Sequence, residues 1–224
     1  MNLPSNPTKD VLLDAAERLF AAHGIARSSL RAITQEAGTN LASVNYHFGS
    51  KDALIRAVFA RRIRPINGER LRRLDALEAE GTPSVSQIAR AFVAPILRMM
   101  RDPDHTPQAI AQLMSRAFSE PGDEVRTILV AEFRPILERF TAAFARVLPH
   151  LSAEEIFWRF HFMVGSMVHT VTAGLLRKHF GPPGNPVEVE ALDTDILEQR
   201  LVAFVTAGFS TAACGDPPEA GEHP

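Results

Sequence analysis

Apolar residues recur along this chain at three- and four-residue spacings, and no run alternates apolar with polar positions for long enough to build a sheet. That period predicts an all-α protein of about nine helices, punctuated by glycine and proline. A first helix over about residues 7–23 carries Ala15, Ala16, Leu19 and Phe20 ahead of His23 and Gly24. Two short helices follow. Ser28 is placed to cap the first, which sets Leu30, Ile33 and Ala37 on one inward face. Gly38 ends it, and Asn40 is placed to cap the second by accepting from the amide of Ser43, with Val44 and Phe48 turned inward. Ser50 then caps a long fourth helix that brings Leu54, Ile55 and Val58 into the same small core. Further helices are predicted over residues 84–100, 106–118, 123–147, 152–180 and 192–213, separated by Gly81-Thr82-Pro83, Asp102-Pro103, Pro121-Gly122, Pro149 and the run Gly181 to Pro186.

The two short helices and their turn occupy residues 28–51, SSLRAITQEAGTNLASVNYHFGSK. A turn of about three residues fixes the crossing angle of the pair, as in a DNA-binding helix-turn-helix. The second helix then presents Leu41, Ala42, Ser43, Asn45 and Tyr46 outward. Small side chains let a helix sit deep in the major groove, and an Asn there has the geometry for a bidentate bond to adenine. Base reading is assigned to Asn40, Leu41, Ala42, Ser43 and Asn45, and phosphate contact to Ser28, Ser29, Arg31, Tyr46, His47 and Lys51.

The run Tyr46, His47, Phe48 and Lys51, with the first helix ahead of His23-Gly24, resembles the TetR family of bacterial transcriptional regulators. The resemblance is carried by the first quarter of the chain. It implies an N-terminal three-helix DNA-binding domain, a larger helical domain for ligand binding and dimerisation, and a palindromic double-stranded operator. Asn45 stands where many members carry Tyr, and Ala42-Ser43 where Gly-Thr is common; both bear on which operator is read. The version Val44-Asn45-Tyr46-His47-Phe48-Gly49 is similar to a subgroup of fatty-acid-responsive and other lipophile-responsive repressors.

Charge agrees with a head that meets phosphate. The chain carries a net −2, yet residues 1–64 hold nine Lys and Arg against five Asp and Glu, a local +4. Pro65 is expected to kink or interrupt the fourth helix, which sets the expected domains: a helix-turn-helix head over 1–64, an effector-binding and dimerisation body over 65–214, and a disordered tail over 215–224.

In the body, Phe92, Ile96, Met99, Met100, Met114, Phe118, Phe133, Ile136, Phe140, Trp158 and Met163 supply adaptable aromatic and thioether surface for a small lipophilic effector, with ordinary core packing as the simpler role for each. Arg98, Arg116, Arg134 and Arg159 are the cations available to an anionic head group, although solvated surface suits each of them better. The helix beginning near Ile156 is apolar nearly all round, so two of its faces need cover. Gly165, Ser166, Ala173 and Gly174, with Leu201, Phe204, Val205 and Phe209 on the last helix, are assigned to a homodimer seam.

His161 and His169 stand eight residues apart without a Cys or carboxylate at ligand spacing, so no metal site is assigned. There is no P-loop, Gly-rich dinucleotide turn or nucleophile motif, hence no cofactor and no catalytic residue. A single Cys214, a polar N-terminal stretch and histidines, hydroxyls and glycines interrupting the apolar run 160–176 point to a cytoplasmic protein without a membrane span. The reading is a ligand-responsive repressor. An activator or effector-independent regulator stays open beside it, as does, more remotely, a helical lipid carrier or enzyme.

Overall fold

The computed structural model describes residues 7–99, 123–172 and 193–213, and every element among them is a helix. The expectations for residues 106–118 and 215–224, and those for Met100, Met114, Arg116, Phe118, Ala173 and Gly174, lie outside the described residues. Eight helices are described: α1 (Pro7–His23), α2 (Leu30–Glu36), α3 (Leu41–His47), α4 (Lys51–Glu80), α5 (Val85–Met99), α6 (Asp123–Val147), α7 (Ala153–Thr172) and α8 (Thr194–Ser210).

The first core gathers Leu12, Ala16 and Phe20 of α1, Ile33 of α2, Val44 of α3 and Leu54, Val58 and Phe59 of α4, all fully buried. Their three- and four-residue spacing is what folds the head. Glu17 strengthens the α1–α4 contact: its buried carboxylate accepts from Arg61 Nη2 at 2.6 Å and Arg62 Nε at 2.8 Å. The second core centres on α5, whose Ile88, Ala89, Phe92, Val93 and Leu97 meet Leu74 of α4, Phe140 and Phe144 of α6, Phe160 of α7 and Val202 of α8. Phe92 stands edge-on between Phe140 and Phe160, at centroid distances of 5.1 and 5.0 Å, and Phe144 stacks on Phe209 at 4.0 Å.

Two helices belong to both cores. α4 runs from Leu54 in the head to Leu74 in the body without stopping at Pro65. The expected interruption is therefore corrected. Pro65 removes one helical hydrogen bond and is exposed, while its neighbours are anchored to α6. Arg64 donates to Glu132 at 2.9 and 3.1 Å, and Asn67 Nδ2 donates to the Glu132 carbonyl at 3.1 Å. α6 makes the reciprocal crossing: Val125, Ile128 and Leu129 are buried in the head core, whereas Ile136, Phe140 and Phe144 are buried in the body.

Arg159, expected at the surface, is buried instead. Its Nε and Nη2 donate to Glu155, one turn back on α7, at 2.8 and 2.6 Å. Its two terminal nitrogens also donate to the carbonyls of Gly208, Phe209, Thr211 and Ala212 at 2.7–3.0 Å. The first two are acceptors of the last turn of α8 and the other two lie just past its end, so one cation gathers the helix terminus and ties it to α7. Arg159→Met keeps the apolar stem and removes the donors. We expect it to lower stability by about 2–4 kcal/mol, read as a lower urea midpoint with faster amide exchange at the end of α8; an unchanged midpoint would show that the cap is dispensable.

Candidate nucleic-acid interface

The turn between α2 and α3 is built by local chemistry. Ala37 caps α2, and Gly38 follows at φ 62°, in the left-handed region where a side chain would be strained. Asn40 Oδ1 then accepts from the amide of Ser43 at 3.1 Å and from its hydroxyl at 3.3 Å, starting α3. With Val44 fully buried and Phe48 packed against the head core, the opposite side of α3 is left to solvent. Leu41, Ala42, Asn45 and Tyr46 form one contiguous exposed face, Tyr46 being 84% exposed. Ser43 is half-buried at its edge, and the carboxamide oxygen of Asn40 is engaged in the cap.

The residues assigned to phosphate divide into four groups. Arg31 is exposed on α2, and Ser29 accepts from the Ala32 amide at 3.1 Å as the N-cap of that helix. His47 is half-buried and meets the Tyr46 ring edge-on at 4.9 Å. Lys51 donates from Nζ to the Ile25 carbonyl at 3.0 Å, pinning the start of α4 to the loop after α1 and leaving two ammonium donors for other partners. Ser28 is different. It is buried, and its hydroxyl donates to the Gly24 carbonyl at 2.7 Å. It neither caps α2 nor faces a phosphate, because the turn from Gly24, at φ 88°, folds it inward.

In the body, Phe92, Ile136, Phe140 and Met163 are buried together, with Ile96 packed against them and Met99 half-buried. Phe133 packs against the head core instead, because it lies on the N-terminal half of α6. Trp158 is corrected more sharply. It is 48% exposed, on the side of α7 that also presents Phe157, His161 and Phe162, the last 65% exposed. Leu201, Val205 and Phe209 are likewise corrected: they are buried in the protomer's own core and are not available to a partner. The face of α8 left open carries Ile196, Ala203, Phe204, Ala207 and Gly208, with Phe204 66% exposed. Gly165 is exposed and Ser166 half-buried on α7.

The sequence reading missed Arg70. It is 2% exposed and points into the body core, where its guanidinium lies 3.9 Å from the centroid of the Phe92 ring. Nε donates to the Phe92 carbonyl at 2.8 Å, Nη1 to Asn67 Oδ1 at 3.1 Å and Nη2 to the Met167 thioether at 3.3 Å. Among the described residues no carboxylate pairs with it. Burial pushes its pKa down to about 9, so it remains cationic at neutral pH. The signal was present in the spacing of Ile63, Asn67, Arg70 and Leu74, a four-three-four stripe that buries one face of α4. Among the described residues no cluster of His, Cys, Asp or Glu is arranged to hold a metal, and no helix is long and apolar enough to cross a membrane.

Residues 12–58 match the family model for bacterial regulatory proteins of the tetR family, and residues 90–208 match that for the tetracyclin repressor-like C-terminal domain. Over 113 residues, 50% of the chain, it is 32% identical to the HTH-type transcriptional regulators SrpR and TtgW of Pseudomonas putida. That stretch covers 44% of SrpR and 70% of TtgW, so the chain spans less than half the length of the former. Among solved structures it is similar to FadR of Bacillus halodurans, with TM-score 0.66 at 12% identity, covering 94% of this chain and 100% of that one. It is also similar to the complex of SmeT, a repressor from Stenotrophomonas maltophilia, with triclosan, at TM-score 0.63 and 18% identity over 95% and 99% of the two chains. FadR of Bacillus subtilis in complex with stearoyl-CoA follows at TM-score 0.64 and 12% identity over 89% and 98%. With its helix-turn-helix head and its helical body each matched, the chain belongs to the tetR family of bacterial regulatory proteins.

Proposed function

We propose that the protein is a cytoplasmic, homodimeric transcriptional repressor that binds a palindromic operator through α3 and is released from it by a small lipophilic effector. The observation that carries this reading is the exposed α3 face on a head that shares α4 and α6 with an apolar body. Asn45 is the base reader, at the centre of that face. Arg31 and Lys51 supply phosphate contact beside it. SmeT is known in complex with triclosan and FadR of Bacillus subtilis in complex with stearoyl-CoA, which supports an apolar effector here.

The exposed aromatics support dimerisation. Phe157, Trp158 and Phe162 of α7, with Ile196 and Phe204 of α8, are large apolar groups that a second copy would cover. A two-fold dimer of this kind places its two α3 helices in successive major grooves. An effector that binds better to a conformer with the wrong head spacing weakens operator binding by the same coupling factor. The head is taken as residues 1–64 and the body as 65–214, with α4 and α6 as the links between them.

Selection of bound fragments from random duplex DNA tests the reading. A palindromic winner, preferred over a scrambled duplex at near-physiological salt, is expected; no enrichment at any salt would overturn it. Against that winner, Asn45→Ala should relax preference at one base pair by about 1–3 kcal/mol. Arg31→Ala should instead weaken all duplexes alike and reduce the salt slope by about 1. Uniform loss from both would contradict the division between base and phosphate contact. Phe204→Glu places a charge on the open face and should yield folded monomers by sedimentation, with weakened binding to the palindrome; a dimer as stable as the parent would exclude this seam.

A further inference from the structure

Arg70 is a buried cation against the apolar core of the body, and among the described residues no carboxylate pairs with it. The Phe92 ring and the Met167 thioether lie against it, the buried cluster of the body includes Leu74 and Met163, and its hydrogen-bond partners are a carbonyl, an amide oxygen and a sulfur, all neutral. A guanidinium has five donors, and the three bonds it makes among the described residues use three of them. The thioether is a weak acceptor, so the Nη2 contact is the one most readily exchanged. Removing a charge from water without an opposite charge is expensive, and a core assembled only for stability would hold an apolar residue at this place. Asn67 and the Phe92 carbonyl fix Nε and Nη1, which holds the remaining donors in a set orientation.

We propose that Arg70 is the anion-binding residue of the effector site, taking the carboxylate or phosphate of an amphiphile whose apolar part lies among the surrounding aromatic and methionine side chains. This deepens the effector reading above and rests on it. Met167 is the displaceable partner: its flexible side chain moves off Nη2 as an anionic oxygen arrives, and two charge-assisted bonds replace one weak contact. Arg70 also sits on α4, the helix that carries Leu54 and Val58 in the head core, so an anion drawn to its guanidinium acts on an element the DNA-reading unit depends on. The charge selects acids over neutral lipophiles, whereas the hydrocarbon around it selects amphiphiles over small anions.

The test is calorimetric titration of the full chain with dodecanoate, dodecyl phosphate and dodecanol, each below its micellar concentration at neutral pH. At least one of the two anions should bind at least about tenfold tighter than the alcohol, the difference expected of a charge-assisted pair. The two anion arms show which head group is taken. Arg70→Met, which keeps side-chain volume and removes the charge, should abolish that advantage without weakening dodecanol binding. Arg70→Lys should retain part of it, and Arg70→Gln gives the same contrast as Met if the Met variant does not fold. The proposal is overturned if the parent binds dodecanol as tightly as both anions, if none of the three binds, or if the neutral variants keep the full anion advantage. Binding of the selected operator is measured on the same preparations. Intact operator binding without anion preference removes the Arg70 assignment and leaves the regulator reading in place; an Arg70-dependent preference without operator binding does the reverse.

Discussion

The structure depends on two helices that each belong to two cores. α4 and α6 carry fully or nearly fully buried apolar residues at both ends, so neither the head nor the body closes its interior without them. Buried side chains at native packing density do not slide continuously, and a change in the tilt or register of either helix is felt in both interiors. Glu132 reinforces the crossing, because its carboxylate holds Arg64 and its carbonyl accepts from Asn67. Shared helices of this kind tie the packing of the body to that of the head, the contiguous physical connection that coupling between two distant sites can use.

Charge inside the protein is used in two ways. Arg159 spends its donors on the end of α8 and on Glu155, and serves the architecture. Arg70 has a comparable burial and, among the described residues, neutral partners, one of them a sulfur. The difference lies in what each would lose. Removing Arg159 strands several carbonyls, whereas removing Arg70 strands one carbonyl and one amide oxygen beside groups that are content in hydrocarbon.

Much of this was legible in the sequence. The caps at Asn40 and Ser50, the turn at Gly38 and the inward Val44 follow from rules that act within one helical turn, and the structure realises them. The boundaries of α1 and α6 were equally local. Ser28 and Ser29 are adjacent hydroxyls of equal capping propensity, and only the turn at Gly24 decides which of them faces inward. That Pro65 does not interrupt α4 could not be read locally, because the ion pair and hydrogen bond that hold the residues on either side of it come from Glu132, in a distant part of the chain. Of the four residues expected in a dimer stripe on α8, Leu201, Val205 and Phe209 are kept by the protomer's own core and Phe204 is exposed: the helix is apolar on two faces, and spacing alone does not say which one the protomer keeps. Arg70 was hidden by its neighbours, since it sits in a run of arginines and acids that reads as solvated surface.

Amide hydrogen exchange across a urea series would test the coupling of the two cores most directly. If α4 and α6 make one cooperative unit, the slowest amides of the head, at Val58 and Phe59, and of the body, at Phe140 and Phe144, converge on a single global opening. Head amides that exchange through a separate, less costly opening while Phe140 and Phe144 stay protected would contradict the shared-helix linkage.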